Sequence, residues 1–348
     1  MKVISVVNQK GGCGKTTLAV NLAAALSRIG NEILFIDLDP QAHATYAMGY
    51  LNKASERKTS YDIFRSHMDN EQVSFEELII TDPDRISFMP ANMLLSAAEI
   101  NLGGVNGAAA ILSGALMDPF FKQYRYIIID TPPSFGFLTL NSMYAADSIL
   151  VPIDLSYFSF NGINNVYRVT NLLTQETGKN PGIFFVLNIF DKRSNFAKEL
   201  EKEAKRKLGQ YILSTKIRSS VRLREAAMLG KNIFEHDPKC PSALDFYNLT
   251  SEILNMNKVD MDTIVKEFFL HAPKANAVYV LGDFNGWKKC KTNSLTKFDQ
   301  GGEWSAHFNL KKGRYRYKYL VDDKWVHDPS NTETVTNIFG TKDSILTL

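Results

Sequence analysis

The sequence predicts an α/β domain, a mostly parallel sheet with helices on both faces, followed by a small all-β immunoglobulin-like sandwich. Three observations carry that prediction. Up to about residue 257, β-branched apolar runs alternate with helical stretches, the pattern of βαβ units. A glycine-rich turn, GGCGKTT, joins the first of those strands to the first helix. Beyond residue 263 the helical period disappears, and short strands follow one another between Gly, Asn, Asp and Pro, as in a sandwich. The expected organisation is residues 1–257 as one domain, 258–263 as a linker and 264–348 as the second.

In order along the chain, VISVV, EILFID, RISFMP, YRYIIID, SILVPID and GIFFVLN are short, near-continuous apolar runs, expected of strands covered on both faces. A helix starts at Lys15. In SNFAKELEKEAKRKL, Phe196, Leu200, Ala204 and Leu208 recur every four residues, which predicts a helix with a lysine-rich outer face. A last helix is expected from Ser242 to Met256, with Leu244, Tyr247, Leu249, Ile253 and Leu254 on its apolar side, and the polar run Asn255 to Asp262 reads as the linker. FFLHAP, AVYVLGDFN, EWSAHFNL, RYRYKYLVD, KWVHDP and SILTL then supply the strands of an 85-residue β domain.

With 45% hydrophobic and 22% charged residues, the 348-residue chain has the usage of a soluble globular protein. No apolar run approaches bilayer length and no leader precedes the first strand, so a cytoplasmic protein is expected. Three scattered cysteines, Cys13, Cys240 and Cys290, supply neither a disulfide framework nor a CxxC knuckle. Net charge is only +3, yet from Lys192 to Arg224 there are 11 Lys and Arg against 3 Glu.

A strand, GGCGKTT and a helix together form the context of a P-loop. Gly11, Gly12, Cys13 and Gly14 allow backbone N–H groups to face phosphate oxygens, Lys15 reaches the β and γ phosphates, and Thr16 with Thr17 opens a helix whose N-terminus favours anions. A nucleotide phosphate is the expected ligand and Mg²⁺ its companion, held by the Thr16 hydroxyl. Two strand ends supply acids: Asp37 and Asp39 in ILFIDLDPQ, and Asp130 in YIIIDTPPS. In an open parallel sheet such ends border the ligand crevice. Asp130 is placed to support Mg²⁺ and Asp39 to orient water, while Asp37 or Asp39 alternatively caps the following turn.

KGGCGKTT, DLDPQAHAT, DTPPSFGFLTLNSMYAADSILVP and VRLREAAMLGKNIFEHDP resemble the ParA/MinD family of deviant Walker A ATPases, most closely its chromosome and plasmid partition branch. The resemblance implies a homodimer sandwiching two ATP molecules, Lys10 crossing to the partner's nucleotide, and Asp39 activating water. It implies Thr16, Asp37 and Asp130 at the metal and switch regions, Asn188 at the adenine, and an activating protein partner. Lys192, Arg193, Lys202, Lys205, Arg206, Arg218, Arg222 and Arg224 read either as a solvated face or as a surface that neutralises DNA phosphates without reading sequence. The resemblance favours DNA and hence nucleoid association. The first strand begins at residue 2, so no helix-turn-helix domain is expected before it, and no terminal amphipathic helix suggests membrane cycling.

The second domain, through GDFNGW and YKYLVDDKWVHDP, is similar to the carbohydrate-binding module of AMP-activated kinase β subunits and of isoamylase and branching enzymes. That similarity implies a glucan site at Trp287, Lys318, Trp325 and Phe339, because sugars offer apolar C–H faces to flat aromatics. Asp343 stands where glycogen-binding members carry an asparagine, and an ionised carboxylate accepts hydrogen bonds without donating them. Two readings stay open: an α-glucan such as glycogen, or a docking module for a glucan-associated protein, with the ATPase as a regulated scaffold. An enzyme acting on carbohydrate is the least favoured reading, because the β domain contributes no suitable pair of catalytic carboxylates.

Overall fold

The computed structural model describes residues 1–50, 57–81, 86–154, 159–191, 193–256, 263–290, 293–297, 302–337 and 339–348. They fall into two compact units, Met1–Val166 with Pro181–Val259 and Tyr167–Asn180 with Asp260–Leu348.

The first unit contains β1 (Lys2–Val6), β2 (Ile33–Asp37), β3 (Ser87–Met89), β4 (Tyr126–Asp130), β5 (Ser148–Asp154), β6 (Gly182–Phe190) and β7 (Ile212–Arg218). Among the described residues these form one seven-stranded sheet in the order β3-β2-β4-β1-β5-β6-β7, and every pairing is parallel. Alternate side chains serve two cores. Ile33, Phe35, Tyr126 and Ile128 pack with α1 (Lys15–Arg28) on one face. Leu34, Ile36, Ile127 and Ile129 pack with Phe64, Leu95 and Leu138 on the other. Central β1 lies between β4 and β5, so the loop leaving it emerges where a doubly wound sheet opens its crevice.

Three sequence expectations change. ILSTKIR was not foreseen as a strand, yet it forms the edge strand β7; its charges escape exposure to the core because Lys216 pairs with Glu201 at 2.7 Å and Arg218 with Asp245 at 2.6 Å. In the helix Asn195–Leu208, Ala197 is buried beside Ala204 and Leu208 while Phe196 is 54% exposed. Steps of four at about 100° per residue drift off one face, and a 3.6 period selects Ala197 instead. In the helix Pro241–Met256, Leu244 is exposed and Ala243, Phe246 and Leu249 face the core. That helix includes Asn255 and Met256, and the strand after it opens at Thr263; the expected linker otherwise falls outside the described residues.

The second unit is antiparallel. A three-stranded sheet orders β10 (Thr296–Lys297), β11 (Glu303–Lys311) and β8 (Thr263–His271). A five-stranded sheet contains β13 (Lys324–Val326), β12 (Arg314–Val321), β15 (Lys342–Thr347) and β14 (Thr334–Thr336), with β9 (Val278–Gly282) also pairing β12. Phe268, Val280, Trp304, Tyr317 and Tyr319 fill the core between them. The Tyr317 and Tyr319 hydroxyls are not orphaned there, donating to Asp328 Oδ2 at 2.7 Å and the Phe269 carbonyl at 2.9 Å.

Candidate nucleotide site and carbohydrate platform

The phosphate loop follows from β1 and needs its glycines. Gly12 and Gly14 sit at φ 76° and 82°, a region costly for residues with a Cβ. Gly14 caps α1 with no side-chain bond, which leaves the first N–H groups of the helix for an anion. Lys15 is buried, its Nζ donating to the Lys10 carbonyl at 3.1 Å. Above the loop lies a cavity of about 490 Å³, lined by Gly11, Gly12, Gly14, Lys15, Thr16, Thr17, Asp39 and His43. Tyr46, Leu223 and Met228 also line it.

Asp37 and Asp130 are register partners at the ends of β2 and β4, and both are fully buried. Burial is the main reason their carboxyls are pushed up, Asp37 to about 7; for Asp130 the nearby Asp37 charge adds to it. Their hydrogen bonds differ. Asp37 accepts from Asp39 N at 3.0 Å and from Thr45 N and Oγ1 at 2.8 Å. It therefore braces the loop that carries Asp39, and Thr45 Oγ1 in turn accepts from Ala91 N at 3.0 Å. Asp130 Oδ2 accepts from the Thr16 hydroxyl at 2.7 Å, but its Oδ1 is buried with no hydrogen-bond partner. An orphaned carboxylate oxygen beside a threonine hydroxyl suits a hard cation, which prefers oxygen ligands.

Asn188, at the β6 end, is buried under the loop and donates to the carbonyls of Cys13 at 2.8 Å and Gly14 at 3.3 Å. It thus helps to fix the loop's main chain at Cys13 and Gly14. The Cys13 thiol is also buried, which pushes its pKa up, and it points to the Lys10 carbonyl at 3.2 Å.

On the β domain, Trp287 and Trp325 stand with ring centroids 6.0 Å apart and planes at 57°. Trp287 adopts φ 59° after Gly286 at 61°, and its indole N–H donates to Asp283 Oδ1 at 3.0 Å. Asp283 Oδ2 accepts the Arg316 N–H at 2.8 Å. Burial would raise the Asp283 carboxyl, but the donors from Arg316 and Trp287 outweigh it and hold the group below its ordinary value. Lys318 and Asp343, both buried, pair with each other at 3.2 Å. Lys318 also donates to Thr341 Oγ1 at 2.6 Å, and Asp343 accepts from Asn337 Nδ2 at 2.7 Å. Phe339, 82% exposed, projects from the turn wound about Asn337.

Residues 1–183 match a protein-family model described as an AAA domain, and residues 267–348 match one described as the glycogen recognition site of AMP-activated protein kinase. The sporulation initiation inhibitor protein Soj of Bacillus subtilis is 34% identical over 253 residues, spanning 72% of this chain and 98% of its own. This chain belongs to the ParA/Soj family of partitioning ATPases. Chromosome partitioning protein ParA of Caulobacter vibrioides is 30% identical over 74% of this chain and 96% of its own. Among solved structures, an ATP complex of Cyanothece McdA superposes with a TM-score of 0.65 at 22% identity, over 75% of this chain and 99% of that one. Cobyrinic acid a,c-diamide synthase of Mycobacterium smegmatis, with an ATP analogue and magnesium, gives 0.63 at 23%, over 74% and 96%; both show the same fold.

Within this ParA/Soj chain the expected site residues divide. Lys15, Thr16 and Asp39 line the cavity and Asp130 accepts from the Thr16 hydroxyl, whereas Lys10 pairs with Asp154 of its own chain. Of the basic residues, Lys192 lies outside the described residues. Arg218 clamps Asp245 through both Nε and Nη2 at 2.6 Å, a bond between β7 and the helix Pro241–Met256. Arg193 pairs with Asp191 at 3.0 Å, Lys205 with Glu201 at 2.7 Å, Arg206 with Glu203 at 2.5 Å, and Arg222 with Glu225 at 2.9 Å. Lys202 and Arg224 are exposed. Sequence reasoning missed His43, 3.9 Å from Asp39, and Thr341, which only its contact with Lys318 marks. Among the described residues no helix is long and apolar enough to cross a membrane.

Proposed function

We propose that this protein is an ATP-switched positioning device. ATP occupies the cavity over the phosphate loop, with the N–H groups of Gly11, Gly12, Cys13, Gly14 and Thr17 and the Lys15 ammonium on its phosphates. Thr16 and Asp130 hold Mg²⁺, which neutralises phosphate charge. Asp39 orients the attacking water, and Asp37 keeps the Asp39 loop in place. Lys10 reaches the nucleotide of a second copy, so ATP ties two chains together and hydrolysis releases them. An activating protein accelerates that release.

The observation that carries this reading is the unpartnered Asp130 Oδ1 beside Thr16, at the border of a cavity floored by the phosphate loop. Kinship with the partitioning ATPases supports it. The dimer binds DNA through backbone phosphates, with Lys202, Lys205, Arg222 and Arg224 as the contact residues and Arg218 as a fold clamp. Nucleoid association in a bacterial cytoplasm follows. The β domain binds an α-glucan on Trp287, Trp325 and Phe339, making a glucan or its attached machinery the cargo.

ATPase activity with and without duplex DNA and glycogen, combined with sizing in ATP and ADP, tests the whole reading. Stimulation by both polymers and an ATP-dependent dimer are expected. A protein that neither hydrolyses ATP nor changes size with it refutes the switch. A second reading, a scaffold that docks a protein without sugar, is favoured by the mutual pairing of buried Lys318 and Asp343. Pull-downs that recover a protein but no glucan would select it.

A further inference from the structure

Lys10 is engaged within its own chain. Its ammonium pairs with the Asp154 carboxylate, the two side chains remaining 33% and 20% exposed. Asp154 is the last residue of β5 and lies in register with Asn188 on β6. The two neighbouring strand ends therefore grip the phosphate loop at two points. Asn188 takes the carbonyls of Cys13 and Gly14, and Asp154 takes the Lys10 side chain. The main chain at Lys10 is fixed to the same strand. Its N–H donates to Asn8 Oδ1 at 2.9 Å, and Asn8 Nδ2 donates to the Pro152 carbonyl at 2.7 Å. With that backbone held, and the Lys10 carbonyl accepting from Lys15 at 3.1 Å, drawing the Lys10 ammonium to another molecule competes with its bond to Asp154.

We propose that Asp154 is a positioning residue that competes with the second copy's nucleotide for Lys10, and so sets the protein concentration at which ATP drives dimerisation. The inference rests on the dimer reading above. Two such pairs open for each dimer formed. A partly exposed ion pair shifts an equilibrium by up to about fivefold, and two by up to about 25-fold. The restraint is thus a modest tax on assembly, small enough for two bound nucleotides to overcome and large enough to keep single chains from pairing at low occupancy.

The test is ATPase rate against protein concentration for wild type, Asp154→Asn, Asp154→Glu and Lys10→Ala, with sedimentation velocity in ATP. In D154N the half-maximal concentration should fall roughly two- to 25-fold while turnover at saturation stays within about twofold, and D154E should restore the wild-type curve. Unchanged concentration dependence in D154N overturns the proposal. So does lost turnover in a folded D154N protein, which would mean that Asp154 presents Lys10 rather than restrains it. Should D154N melt early, Asp154→Ser is read by the same assay. Lys10→Ala separates the two levels: if it stays monomeric and inactive while D154N is unshifted, only the restraint fails. If it behaves as wild type, the dimer reading itself falls.

Discussion

Asn188 and Gly14 are fitted to each other: the Asn188 amide bonds the Gly14 carbonyl at 3.3 Å, and a Cβ on Gly14 would lie 2.5 Å from that same nitrogen. Gly14 also sits at φ 82°. Gly14→Ala therefore meets a clash and a strained backbone together, and should destabilise the protein by roughly 2 kcal/mol or more. Nucleotide binding should be lost even below the melting temperature. Thermal melts and titration with a fluorescent ATP analogue check both, and a wild-type melting curve would contradict the fit.

Lys10→Ala should still bind ATP, because Lys15, Thr16 and the loop N–H groups are untouched. It should fail to dimerise and hydrolyse. Equilibrium binding and turnover, measured side by side, distinguish this from a general loss of nucleotide affinity.

The pair Asp37 and Asp130 makes stability depend on pH. Both carboxyls are pushed up by burial, Asp37 to about 7 against 3.8 when unfolded. The folded state then holds protons that the unfolded state releases, so stability falls as pH rises from about 4 through about 7 and stays reduced above that. A magnesium ion bound at Asp130, as proposed above, would offset the penalty. The melting-temperature increase produced by MgATP should accordingly be larger at pH 8 than at pH 6, and an equal increase would count against the cation site.

On the β domain two kinds of substitution should separate. Trp287→Ala and Trp325→Ala should abolish co-sedimentation with glycogen while changing the melting temperature little. Lys318→Ala leaves Asp343 buried without its cation, and should cost roughly 3 kcal/mol of stability. Sugar binding by a folded K318A protein would show that the aromatic pair suffices.

For DNA, the double variant of Lys202→Ala and Arg224→Ala should weaken binding to unrelated duplexes alike and flatten the salt dependence by about two contacts. Arg218→Ala should act differently, lowering thermal stability through the loss of Asp245. Filter binding over a salt series resolves the two.

Much of this was legible in the sequence, for definite reasons. Strands covered on both faces have to be nearly all apolar, so YIIID and SILVPID announce themselves. The phosphate loop is readable because its glycines, lysine and threonine act through local geometry. What stayed hidden depends on distant partners. β7 reads as a basic segment until Glu201 and Asp245 are seen to take its charges. That Asp37 also braces Thr45 could not be read locally, and nothing in the local sequence connects Lys10 with Asp154, 144 residues away.

The bond from Lys15 Nζ to the Lys10 carbonyl has a kinetic meaning. The lysine placed to serve phosphate also bonds the start of its own loop, so that side chain braces the turn from Lys10 to Lys15. Nucleotide entry exchanges one oxygen acceptor for another and orders little new backbone. Association of a nucleotide should then be governed by encounter and dehydration rather than by ordering of the loop.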